Sequence, residues 1–119
     1  MTDMSEKELQ RLIIDAADLG GWMIFHDNDS RTNRPGFPDL VLLRPPELLF
    51  VELKSARGRI RPEQALWLEQ LAQVDFISSD VIRPVDADAM IARLLRRPPK
   101  GDPHEAAQAV DDFYDERRG

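Results

Sequence analysis

Apolar positions follow two rhythms along the chain. Near the N-terminus Leu9, Leu12, Ile13, Ala16, Ala17 and Leu19 recur at intervals of three and four, the stripe of a helix with one buried side. Ser5-Glu6-Lys7-Glu8 opens it as a capping box, Ser5 being the N-cap, and Gly20-Gly21 closes it. Trp22 to His26 reads as a first strand. Asp27 to Pro38 is polar, with Asn, Ser, Gly and two prolines, and reads as a loop. Leu40-Val41-Leu42-Leu43 is a short continuous apolar run, consistent with a buried strand. Pro45-Pro46-Glu47 turns the chain, and Leu48 to Lys54 returns as its hairpin partner. A second helix starts with Pro62 in its first turn and is expected to bury Trp67, Leu68, Leu71 and Val74. Asp80 to Pro84 forms a last strand, whose start the segment Gln73 to Asp80 leaves open to an earlier residue. Asp86 caps a third helix with Met90, Ile91, Leu94 and Leu95 apolar. It ends in Arg96-Arg97, cations that suit the negative end of a helix dipole.

The order α-β-β-β-α-β-α predicts an α/β fold, a small mixed β-sheet flanked by helices. Residues 1–97 form the compact unit, and residues 98–119 an acidic C-terminal extension. Asp102-Pro103 is a helix start, after which Ala106, Val110, Phe113 and Tyr114 fall on one face. Two readings stand for this segment, a docked helix whose aromatic face is covered, for which a second subunit is the natural occupant and which we prefer, and a solvated acidic tail.

Composition narrows the chemistry. At 119 residues, 42% hydrophobic and 32% charged, the chain can build one core. A mean hydropathy of −0.44 and no apolar run near ~20 residues argue against a membrane span. The acidic N-terminus is unlike a secretory signal. The expected location is therefore cytoplasmic. With no cysteine there is no thiol catalysis or Cys-type zinc site, and His26 and His104 are too few for a histidine cage. His26 reads as a partly buried structural residue. The net charge of −6 disfavours general coating of nucleic acid, but charge is segregated. From Lys54 to Arg61 the chain carries Lys54, Arg57, Arg59 and Arg61 with no acid.

The informative constellation is Gly36-Phe37-Pro38-Asp39-Leu40, then Phe50-Val51-Glu52-Leu53-Lys54. Alternation along a strand puts Glu52 and Lys54 on one face with Phe50, and Val51 and Leu53 on the other. Charges on a half-buried face need a partner or a metal. If the two strands pair, Asp39 and Glu52 converge on one point and repel unless a divalent cation sits between them. The backbone carbonyl of Leu53 is a natural further oxygen ligand, with waters completing an octahedron around Mg²⁺.

These residues resemble the PD-(D/E)xK nucleases, and in particular the VRR-NUC domains, the small branch that stands alone in phage and bacterial proteins. The resemblance runs from about Ser5 to Leu95. It rests on Ser-Glu-Lys-Glu, Leu-Gly-Gly, Gly-Phe-Pro-Asp-Leu, Phe-Val-Glu-Leu-Lys, the basic turn, Pro-Glu-Gln-Ala-Leu-Trp-Leu and Val-Ile-Arg-Pro. It implies a restriction-endonuclease-like core and a DNA endonuclease using Mg²⁺ or Mn²⁺. Asp39 and Glu52 would hold the metal. Lys54 would orient the attacking water or steady developing charge, and Gln64 would contact lysine, water or phosphate. The helix carboxylate is Glu6 or Glu8; the family's distance to the double glycine favours Glu6. The chain departs from the family in lacking a glycine before the last strand and in its acidic tail.

Plainer readings exist for each residue. Glu52 and Lys54 would make a surface pair, Asp39 a turn cap, Gln64 a reach-back cap of its own helix, and Glu6 a dipole partner. Beside a metal site Arg57, Arg59 and Arg61, with Arg34 ahead of the first motif, are the best phosphate contacts available; elsewhere they would be a solvated loop. The expected activity is hydrolysis of DNA phosphodiesters, and the resemblance implies a structure-specific enzyme of bacteria or phages, a homodimer directed at branched DNA such as four-way junctions. The alternatives are a nicking or restriction-like enzyme on duplex or flaps, and a non-catalytic DNA-binding or protein-interaction module.

Overall fold

The computed structural model describes residues 4–26, 34–96 and 102–118. Helix α1 spans Glu6–Leu19, started by the Ser5 hydroxyl, which accepts from the Glu8 amide at 3.1 Å. It ends where Gly21 turns left-handed, at φ 78°, a conformation glycine takes without steric cost. Strand β1 (Met23–His26) follows, then β2 (Leu40–Arg44) and β3 (Glu47–Leu53), helix α2 (Pro62–Leu71), strand β4 (Ser78–Ile82), a 3₁₀ turn (Pro84–Asp86), α3 (Ala87–Leu95) and α4 (Pro103–Arg118).

The four strands form one mixed sheet in the order β1-β2-β3-β4. The first two pairings are antiparallel and β3–β4 is parallel, the crossover through α2 supplying the length a parallel connection needs. Register follows the apolar pattern. Leu40 and Leu42 of β2 and Leu49, Val51 and Leu53 of β3 share one face and are buried. Against them pack Leu9, Ile13, Ala16 and Ala17 of α1 and Ala87, Met90 and Leu94 of α3. Each buried leucine stabilises the unit by about 1.5–3 kcal/mol.

Several expected boundaries shift. β4 begins at Ser78, two residues before the expected start, and Pro84 belongs to the turn rather than to the strand. Asp86 reaches back to accept from the Arg83 amide at 2.9 Å instead of capping α3 with its side chain. α2 buries none of its residues. Trp67, Leu68 and Leu71 are only half-buried, and Val74 lies beyond the helix and is exposed. The physical reason is that α2 lies over β4 on the sheet face opposite α1 and α3, with no further layer outside it among the described residues. Arg44 is buried although charged. Its guanidinium lies 4.2 Å from the Trp22 ring centroid and donates to the carbonyls of Gly20 and Leu94 at 2.7 and 3.0 Å.

The C-terminal segment forms α4, yet its described side chains, residues 102–116, are all exposed. The helix is the one its sequence predicts, and within this chain its apolar residues Val110 and Tyr114 stay exposed. Among the described residues no helix is long and apolar enough to cross a membrane.

Candidate active site

The second sheet face carries the chemistry. Leu40 pairs with Val51, so Asp39, one residue before β2, stands opposite Glu52. Even-numbered residues of β3 point to this face, which brings Phe50 and Glu52 beside Asp39, with Lys54 just past the strand end. Pro38 is fully buried and anchors the entry to the strand. The Asp39 Oδ2 accepts from the Leu53 amide at 2.8 Å, locking the carboxylate to the neighbouring strand. The Lys54 amide donates the other way, to the Ile82 carbonyl at 3.1 Å. Amide and carbonyl of one strand residue point to the same side, so the Leu53 carbonyl lies on the Asp39 side of β3.

Glu52 is 1% exposed. Its Oε2 accepts from Gln64 Nε2 at 2.9 Å and lies 3.6 Å from Lys54 Nζ, while its Oε1 is buried with no hydrogen-bond partner. Burial and then the negative charge of Asp39 push the Glu52 carboxyl from 4.5 up to about 7, against the opposing pull of Lys54. Lys54 is itself buried to 8% exposure, an unusual place for an ammonium without a carboxylate beside it. The surface-pair reading of Glu52 and Lys54 thus fails on burial.

Gln64 has two roles. Its Oε1 accepts from the Arg61 amide at 2.9 Å, closing the reach-back cap of α2, and its amide nitrogen holds Glu52. The loop before β2 is pressed onto the same helix turn. Gly36 has φ 91°, and a Cβ there would sit 2.5 Å from the Glu63 carbonyl carbon and oxygen, so this approach requires glycine. Phe37 fills the gap, edge-on to Phe50 at 6.2 Å and to Trp67 at 5.1 Å between centroids.

Glu6 is placed differently. It is exposed in the first turn of α1, and among the described residues no group of three or more acidic or histidine side chains comes together. Glu8 is likewise exposed. Arg34, Arg57, Arg59 and Arg61 are all exposed. His26 ends β1 half-buried, paired with Leu40. His104 is exposed on α4. One organising residue had no role from sequence, Arg83. Its Nη1 donates to the carbonyls of Ser55 and Gly58, both at 2.8 Å, and of Ala56 at 3.4 Å, gathering the basic loop around one guanidinium. The motif Val-Ile-Arg-Pro contains it, but nothing in its spacing points to the loop.

The donor set fits a hard divalent cation. It offers two adjacent carboxylates, an orphaned buried oxygen of one of them, and a backbone carbonyl on the same edge, all oxygen ligands.

The mixed four-stranded sheet with helices on both faces is an α/β fold consistent with a PD-(D/E)xK-like core. The chain belongs to the VRR-NUC domain family, a nuclease domain family, whose model matches residues 2–81. A solved structure described as a VRR_NUC domain protein shares the fold with TM-score 0.58 at 18% identity, over 76% of this chain and 87% of that one. A search of curated proteins found none that matches the chain.

Proposed function

We propose that this protein is a divalent-metal-dependent DNA endonuclease in which Asp39, Glu52 and the Leu53 carbonyl hold Mg²⁺ or Mn²⁺. The observation that carries this reading is the Glu52 Oε1 atom, buried, unpartnered and beside a second carboxylate. A pure binding surface for phosphate gains nothing from burying negative charge there. When bound, the cation polarises the scissile phosphate and lowers the pKa of a water.

The chain's own residues account for the rest. Asp39 is held by the Leu53 amide and Glu52 by Gln64, so both carboxylates are oriented before any ligand arrives. Lys54 stands with its ammonium 3.6 Å from Glu52, able to donate to an attacking water or a non-bridging phosphate oxygen. Arg34, Arg57, Arg59 and Arg61 supply exposed cations for the flanking phosphates. The proposed substrate is branched DNA, cut by a homodimer whose two sites act on opposite strands. The half-exposed Val110 and Tyr114 of α4 are apolar surface such a pairing would cover.

The test is metal titration by calorimetry alongside cleavage in Mg²⁺ or Mn²⁺. Glu52→Ala and Asp39→Ala are expected to lose metal binding and at least about 10³-fold in rate. Lys54→Ala is expected to keep metal binding and lose about 10²–10⁴-fold. Undiminished cleavage by Glu52→Ala would refute this site.

A further inference from the structure

One turn along α2 from Gln64, the surface opens into a groove of about 480 Å³ lined by Arg34, Pro35, Leu66, Trp67 and Gln70. Its walls are unusual for a helix surface. Leu66 is 60% exposed, and the Trp67 indole is held in place from two sides, with Phe37 edge-on at 5.1 Å and its N–H donating to the Pro35 carbonyl at 3.2 Å. With that N–H engaged inside the protein, what the ring offers the groove is apolar surface. Proline, indole and leucine make flat or shallow apolar walls. Arg34, a planar cation, and Gln70, a donor–acceptor amide, complete the lining.

We propose that this groove is a subsite for an unpaired nucleobase adjacent to the scissile phosphate. The proposal rests on the nuclease reading above and names what it would recognise. Position favours a base. Gln64, which holds Glu52, and Trp67 lie one turn apart on α2, about 4.5 Å of helix rise, and Phe37 touches both Trp67 and Phe50 of the site face. A strand with its phosphate at Glu52 and Lys54 that follows these contacts runs past the indole. Chemistry favours it too, since every base has a π-face for an aromatic platform and polar edges for an arginine or an amide. A fixed indole loses little freedom when the base arrives. A paired base is buried in its stack and must be extruded to enter, which is least costly where it is already unpaired. The groove thereby selects single-stranded or branch-point DNA at the site of cutting.

The experiment compares full-length protein binding to oligothymidine and to an abasic strand of equal length, by fluorescence anisotropy without divalent metal. Wild type is expected to bind the base-bearing strand about five- to a hundredfold tighter, and Leu66→Ser to lose most of that ratio while its melting temperature holds. Strands carrying 5-iodouracil are expected to photocrosslink at Trp67. Equal affinity of wild type for the two strands overturns the subsite, and so does crosslinking only elsewhere. A Leu66→Ser variant that alters sedimentation but not base discrimination also overturns it, making the groove a self-association face. Cleavage in Mn²⁺ separates the two ideas. A protein that cuts DNA without discriminating bases keeps the nuclease reading and loses the groove, whereas base-dependent binding with no cleavage of any DNA does the reverse.

Discussion

At the scale of single residues, Glu52 concentrates the tension of the site. A carboxyl with ordinary pKa 4.5 in the open chain and about 7 in the fold binds more protons folded than unfolded between those values. Stability of the metal-free protein therefore falls as pH rises from about 4.5 to 7, by an amount of order 1–3 kcal/mol. The contribution is fully present below the lower pKa and lost above the upper one. Burial of the carboxyl is the main cause of the shift, with Asp39 adding to it and Lys54 opposing it. Glu52→Gln keeps an acceptor for Gln64 and removes the titration, so it is expected to melt higher than wild type at pH 8 and close to it at pH 4.5. Adding Mn²⁺ at pH 8 is expected to raise the melting temperature of wild type and leave the variant where it was. Melting curves at the two pH values check both statements. A wild-type protein that gains metal-free stability between pH 5 and 7.5 relative to Glu52→Gln contradicts them.

At the scale of elements, the segment from Ser55 to Arg61 has little packing of its own and takes its shape from Arg83. Three carbonyls converge on one guanidinium nitrogen, bonds to a charged donor that contribute about 1.5–3 kcal/mol each when well formed. Arg83 is half-exposed, so a total near 2 kcal/mol is the reasonable figure. Arg83→Ala is expected to lower the melting temperature by roughly 6–12 °C and to speed amide exchange at residues 55–61. Amide exchange that is unchanged there removes the clamp. The loop's arginines make a separate prediction. Replacing Arg57, Arg59 and Arg61 by alanine together is expected to weaken binding to every DNA sequence alike. It is also expected to flatten the salt dependence by about 2–3 units of slope, given about −0.9 per neutralised phosphate. An unchanged slope returns these residues to a solvated loop.

For the whole molecule, charge and symmetry decide what the site can be offered. A net charge of −6 repels DNA at long range, so attraction must come from the local arginines and from a substrate shaped to reach them. One cluster of metal ligands cuts one strand at a time, and symmetric cutting of a junction calls for two chains related by a twofold axis, the commonest oligomeric symmetry. The expected outcome is a dimer in sedimentation at micromolar concentration that cuts four-way junctions in preference to linear duplex of the same sequence. A monomer cutting both at equal rates defeats the branched-DNA and dimer proposals and leaves the metal chemistry standing.

Local patterns determined much of this protein. The spacing of Leu9, Ile13 and Ala17, the Ser5 cap and the apolar runs around Leu42 and Val51 specify α1, β2 and β3, because helix and strand periodicities are properties of neighbouring residues. Strand alternation likewise put Glu52 and Lys54 on one face. What packs over a face is not local. The sequence of α2 has apolar residues enough for a buried helix, and only the tertiary structure shows it as a thin outer layer with Leu66 in water. The same holds for α4, whose aromatic residues predict a docked helix that the folded chain leaves exposed. Arg44 under Trp22, Arg83 within the basic loop and the double duty of Gln64 each depend on residues far apart in the chain. Convergence of the acids was a conditional expectation until register paired Leu40 with Val51. Register sets which side chains meet across a sheet, and so only the folded sheet set Asp39 beside a buried Glu52 oxygen without a partner.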